Sequence, residues 1–182
     1  MKTEMVFKYY VTYVLQRWLP YKQEGCKVHT CITNKVKVKC IKTEQKIEYN
    51  SRLEPSTLPR DDGKRPDGLN TAPWKEGRCL VWDFTCPDTL AASHLDRAVS
   101  GPGAVATEAE ARKRSKYSSL AATYYFVPVA VETLGALGQE AAQFISDLGR
   151  RITATTGQPR SVAFLFQRLS VAIQRGNAAS VT

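Results

Sequence analysis

The stretch Arg65 to Thr89, RPDGLNTAPWKEGRCLVWDFTCPDT, constrains this chain more than any other. It reads as two short strands and a tight turn. Gly68 to Trp74 forms the first strand, Lys75-Glu76-Gly77 the turn, and Arg78 to Thr85 the second strand. Gly77 suits the turn, and Leu80, Val81, Trp82 and Phe84 are strand formers. Asp67 stands at the start of the first strand and Asp83 inside the second, with fifteen residues between them. An acid in an apolar strand is unusual, because burying a lone carboxylate is costly unless a cation or hydrogen bonds compensate it. A hairpin brings the two acids together, and their repulsion then favours a divalent metal between them. Taken alone, the pair is more economically read otherwise, with Asp67 a turn residue after proline and Asp83 an outward-facing strand residue.

At 182 residues the chain is long enough for one domain with a proper core plus an appendage. Its apolar content of 43% and charged content of 24% are those of a soluble globular protein. The net charge of +9 is unevenly placed: residues 1–66 carry fourteen Lys and Arg against seven Asp and Glu, and residues 67–182 twelve against ten. A basic N-terminal half suits an acidic partner, nucleic acid first among them, or is a solvated basic tail. Cysteines at 26, 31, 40, 79 and 86 are odd in number and form no paired framework, which favours a reducing, intracellular compartment. The most apolar run, Met5 to Leu19, is interrupted by Lys8, Gln16 and Arg17, so neither a membrane span nor a signal peptide is expected.

Residues 1–50 form a basic N-terminal segment. An amphipathic helix fits Met5 to Leu19, with Pro20 as its stop, and alternating Lys and Val between Lys35 and Lys39 fits a one-sided strand. Cys26, His29, Cys31 and Cys40 are zinc-type ligands at a spacing that matches no common finger, and read as incidental thiols. Asn50 to Lys64 is a connection with a strand at Arg52 to Glu54, and Asp61-Asp62-Gly63 is turn chemistry. Cys86 to Gly103 reads as a long loop, with His94 and Asp96 facing solvent. Thr107 caps a helix over Glu108 to Thr123, which places Glu108 and Glu110 in its first turn. Lys113, Lys116 and Tyr117 share one face of it. Tyr125 to Glu132 is a buried strand in which Pro128 marks an edge or a bulge. Helices follow at Gln139 to Thr155 and from Pro159 to about Gly176. From residue 52 the order is strand, strand, strand, helix, strand, helix, helix. That order predicts an α/β domain over residues 51–182, with a small mixed central sheet and flanking helices.

The ordered set Arg65-Pro66-Asp67, Asp83-Phe84-Thr85, Lys113-x-x-Lys116-Tyr117 and Val127-Pro128-Val129 resembles the restriction-like endonuclease domain of site-specific non-LTR (LINE-type) retrotransposon proteins. That domain is a variant of the PD-(D/E)xK nuclease fold. The phrases GKRPDG, LVWDFTCPDTLAASHL, ARKRSKY, FVPVAVETLG and AIQRGNAA are similar to C-terminal segments of such proteins, and the resemblance runs in order from Glu54 to Val181.

The resemblance implies a restriction-endonuclease-like fold and a DNA endonuclease that nicks a target strand for retrotransposon integration. It implies Mg²⁺ or Mn²⁺ on Asp67 and Asp83, with Lys113 or Lys116 activating water and Tyr117 in support. The activating lysine of the parent pattern would fall at Thr85, and in the retrotransposon variant that function passes to the following helix. Arg65, Arg112 and Arg114 are the expected DNA contacts. The element's RNA and its reverse transcriptase are further expected partners. No membrane and no small-molecule cofactor are expected, and the location follows the substrate into the nucleus. Two departures stand out. No helix before the first strand is recognisable in residues 1–50, so the domain reads as truncated at its N-terminus, with Glu54 the one outer acid. Asp61-Asp62 also lacks the apolar hairpin of a polymerase, so no reverse transcriptase is present. The competing readings are a nucleic-acid-binding module that does not cut and a non-functional remnant.

Overall fold

The computed structural model describes residues 65–181 and, before them, Ser51–Leu53, Pro55 and Leu58. The helix and strand expected within residues 1–50, the cysteine–histidine group there, Glu54 and the turn at 59–64 lie outside the described residues. A four-stranded sheet runs in the order β1 (Ser51–Leu53), β2 (Gly68–Lys75), β3 (Arg78–Thr85), β4 (Tyr125–Ala130). The first three strands are antiparallel and β4 is parallel to β3, so the sheet is mixed. The helices are α1 (Leu95–Ala98), α2 (Ala104–Lys116), α3 (Gln139–Thr156) and α4 (Ser161–Val181). Apart from the short α1, this is the predicted element order, and the α/β class is the predicted one.

The β2–β3 hairpin closes on Glu76 and Gly77, both at positive φ (53° and 72°), the geometry whose twist matches that of the flanking strands. Gly68 fixes the register at the far end. A Cβ there would stand 2.0 Å from Cζ2 of Trp82, so the indole can lie against the backbone only because glycine has no side chain. Gly68 pairs with Trp82 and Leu69 with Val81. One step further along the same antiparallel pairing, Asp67 faces Asp83. Between Leu69 and Pro73 the register shifts, and there the Asn70 Oδ1 accepts the Ala72 N–H at 3.1 Å.

Period-two alternation along β3 divides two apolar layers. Leu80, Trp82 and Phe84 join Val127, Val129 and Val131 against α3 and α4. Val81 points the other way, to a second cluster with Leu69, Tyr117 and Phe126. Ala106 and Ala109 of α2 meet Ala130, and these small side chains let the helix lie close to β4. The domain is therefore a sheet with α2 on one face and α3 and α4 on the other. Pro128 sits in β4, an edge strand among the described residues, as its missing N–H requires.

Three expected boundaries are corrected. The helix expected at Glu108 to Thr123 begins at Ala104 and ends at Lys116, with a separate 3₁₀ turn at Ser118–Ala122. Its early start has a distant cause: the Glu132 Oε1 accepts the N–H groups of Val105 (3.1 Å) and Ala106 (3.3 Å), two donors the first turn otherwise leaves unpaired. Thr107 consequently sits inside the helix, where its Oγ1 accepts the Gln139 N–H. The expected loop Cys86 to Gly103 contains a 3₁₀ turn, Ala92–His94, and the short α1. The last helix begins at Ser161 and runs on to Val181.

Candidate active site and basic groove

Asp83 is not outward-facing. It is 3% exposed, on the α2 side of β3, and two side chains from the end of α2 reach it. The Lys113 ammonium forms an ion pair with its Oδ2. The Tyr117 hydroxyl lies 3.1 Å from its Oδ1 and also 3.1 Å from the Arg65 carbonyl. Tyr117 can do this because it caps α2 with its ring buried, 5.0 Å between centroids from Phe126. The Asp67 Oδ2 accepts the Phe84 N–H at 2.7 Å, which ties the start of β2 to the residue after Asp83.

Burial pushes the Asp83 carboxyl above the usual carboxylate range. The Lys113 ammonium pulls it back, the Asp67 charge pushes it further up, and Tyr117 lowers it. The charge of Asp67 therefore acts directly on Asp83, as their facing positions require. The buried carboxylate is thus held by one lysine and one tyrosine beside a second acid that repels it.

The donor set suits a particular kind of cation. Mg²⁺ is ordinarily held by one or two carboxylates while retaining water and substrate phosphate oxygens. Asp67 and Asp83 supply two carboxylates. Among the described residues no three His, Cys, Asp or Glu side chains come together, so a closed thiolate–imidazole site of the zinc kind is not formed by them.

Beside this cluster opens a groove of about 330 Å³. Pro87 and Ala109 give it apolar lining, Thr85 brings it to the end of β3, and His94, Arg112, Lys113 and Lys116 make it basic. Lys113 thus belongs to both the groove and the acid pair. The Lys116 ammonium also lies 5.0 Å from the centroid of the Tyr117 ring.

Of the expected site residues, Asp67, Asp83, Lys113 and Tyr117 come together, and Lys116 and Arg112 stand in the adjoining groove. Arg65 contributes its carbonyl to Tyr117, while its side chain is exposed. Arg114 is placed differently. Its guanidinium pairs with Glu140 of α3 and reaches the Phe126 carbonyl at 3.3 Å, so it links α2 to α3 outside the groove lining.

Three residues escaped the sequence reading. His94, expected to face solvent, lines the groove. Glu132, like Asp83, is an acid within an apolar strand pattern, and that signal could have marked it. Glu110 was assigned to a first helical turn but is buried mid-helix. There its two oxygens accept the Glu140 N–H (2.9 Å) and the Ala141 N–H (2.8 Å), capping α3. Burial pushes its carboxyl up as well, against those two hydrogen bonds.

The fold and site define a mixed α/β domain that carries an acid pair, a lysine–tyrosine clamp and a basic groove. Compared with protein-family models, curated proteins and solved structures, the chain finds no match.

Proposed function

We propose that this domain is a metal-dependent DNA endonuclease of the restriction-like kind, nicking one strand of a duplex in the nucleus as a retrotransposon integration enzyme does. The observation that carries the reading is the convergence on one buried carboxylate. Asp83 faces Asp67 across the hairpin and is held by Lys113 and Tyr117 from α2, at the edge of a basic groove. These are four of the five positions that the resemblance marks, and the fifth, Lys116, lines the groove beside them.

Hydrolysis of a phosphodiester needs a water oxygen to attack phosphorus as the P–O3′ bond breaks, leaving a 3′ hydroxyl and a 5′ phosphate. A Mg²⁺ or Mn²⁺ ion held by Asp67 and Asp83 would supply a more acidic bound water and neutralise charge on the phosphate. The protein's own part is positional. Tyr117 fixes the Asp83 carboxylate through Oδ1, and the Phe84 N–H orients Asp67. Lys113, anchored on a helix with its ammonium between acid and groove, is placed to hold the attacking water against the phosphate. Arg112 and Lys116 would bind the flanking backbone.

A second reading has an observation of its own. Lys113 already supplies a positive charge to Asp83, so a domain that binds DNA without cutting it would keep this ion pair permanently. Mn²⁺ titration followed by its paramagnetic spectrum separates the two. The endonuclease reading expects one Mn²⁺ per chain in the wild type and none in folded Asp83→Asn. Equal binding by both proteins, or none by either, favours the binding module.

A further inference from the structure

The exposed side of α4 carries a pattern that neither the core nor the groove uses. Leu165, Leu169 and Ile173 bury the opposite side of the helix in the larger apolar layer. Phe164, Arg168, Val171 and Arg175 follow one another at steps of four, three and four residues, which sets them in a single stripe. Arg160, whose carbonyl accepts the Phe164 N–H at 2.9 Å, extends the stripe to the start of the helix. From Arg160 to Arg175 the stripe is about 22 Å long. All of these residues are exposed, Phe164 at 57% and Val171 at 51%.

This is not the mixed-charge surface of an ordinary solvated helix. α4 carries no Asp or Glu, so its arginines have no acid to meet along their own helix. Arg160 and Arg175 form no ion pair with any described acid. The Arg168 guanidinium lies over the Phe164 ring, 5.6 Å from its centroid, which joins cation and aromatic in one surface. Ala163, Gln167, Ser170 and Gln174 make the rest of the exposed side neutral. Cationic and apolar residues are thus gathered on one strip of the helix, on the sheet face opposite α2 and its groove.

We infer that this stripe docks an acidic amphipathic helix of another protein, whose apolar side chains cover Phe164 and Val171 and whose carboxylates meet the arginines between them. Alternating steps of four and three residues are those by which two helices interlock along a seam. Arginine matches a carboxylate with two parallel hydrogen bonds. A nucleic-acid backbone answers the arginines but leaves Phe164 and Val171 against polar sugar and phosphate. A second copy of this chain would bring the same arginines into the seam and no acid to meet them. Residues 1–66 carry fourteen Lys and Arg against seven Asp and Glu, so the acid does not come from there either. An acidic helix with an apolar edge uses every position of the stripe.

The test is fluorescence anisotropy of a labelled helical peptide of about three heptads, with leucine and glutamate alternating along one face at the same steps, titrated with the full chain. Wild type is expected to bind it at least about tenfold tighter than a scrambled peptide of equal composition. Phe164→Ala, and separately the pair Arg168→Gln with Arg175→Gln, should weaken binding by about tenfold or more, the arginine pair also flattening its salt dependence. Ser170→Ala, on the neutral part of the exposed side, should bind as the wild type does. All these positions are exposed, so circular dichroism should show every variant folded. Equal binding of the two peptides, binding of neither, or binding that survives in both stripe variants overturns the inference. So does a short DNA duplex or a phosphatidylserine vesicle that binds the wild type tighter than the peptide and is lost in Phe164→Ala, which would assign the stripe to nucleic acid or membrane. Metal and cleavage enter none of these readouts, so the endonuclease reading stands or falls separately.

Discussion

Replacing Gly138 by alanine tests how the helices that carry the site are locked together. At φ −67° and ψ 163° the backbone of Gly138 suits any residue, so the substitution brings no dihedral strain. By itself, losing a glycine from the unfolded chain should stabilise by about 0.4–1 kcal/mol. The new Cβ, however, would stand 2.3 Å from Cδ and Oε1 of Glu110 and 2.6 Å from Oε2. That carboxylate must retreat, and it is buried with both oxygens capping α3 through Glu140 and Ala141. Hydrogen bonds to a charged group contribute about 1.5–3 kcal/mol each, and a buried carboxylate that loses them is costly. Weakening both bonds and subtracting the glycine gain leaves an expected loss of about 2–4 kcal/mol. Urea denaturation of the single and double variants measures it. Glu110→Ala removes the obstacle, so in that background Gly138→Ala should cost less than about 0.5 kcal/mol. Equal cost in both backgrounds, or no cost in the wild type, would refute the reasoning.

Gly68→Ala should destabilise by at least about 2 kcal/mol in the same assay, because the Trp82 ring and the hairpin register must both give way; a midpoint close to wild type would contradict the packing. Lys113→Met removes the cation from a buried carboxylate and should cost about 3–5 kcal/mol, largely recovered in Lys113→Met with Asp83→Asn. Failure of the second change to rescue would show that Lys113 acts through packing alone. The Asp83 carboxyl is raised above its ordinary value, so the native state binds more protons than the unfolded state in the window between the two values. Stability from this group therefore falls as pH rises through that window and is lowest above it. The stability of Asp83→Asn relative to wild type should accordingly be most favourable near pH 8 and decline towards pH 4. A difference independent of pH would remove the burial argument.

The sequence makes the hairpin and the meeting of its acids legible because both rest on local rules. A turn at Glu76-Gly77 and period-two alternation suffice to bring Asp67 opposite Asp83. The direction Asp83 faces is not legible from the acid pair alone, because its compensation lies 30 and 34 residues away, in Lys113 and Tyr117. The start of α2 was misplaced for the same reason. Thr107 looks like a cap in the sequence, yet Glu132 satisfies the first-turn donors from 26 and 27 residues downstream. Arg114 and Lys113 are adjacent cations that no pattern separates. Only the packing of α3 against α2 directs one to Glu140 and leaves the other beside Asp83. His94 was unreadable because its position depends on Thr133 fastening the loop.

Nicking of supercoiled plasmid by the purified chain in Mg²⁺ or Mn²⁺, with Asp67→Ala alongside, tests the central claim most directly. The account predicts open-circular product from the wild type, abolished by EDTA and by Asp67→Ala while DNA binding persists. Intact plasmid with a folded, metal-loaded, DNA-binding wild type, or cleavage that survives in Asp67→Ala, would contradict it.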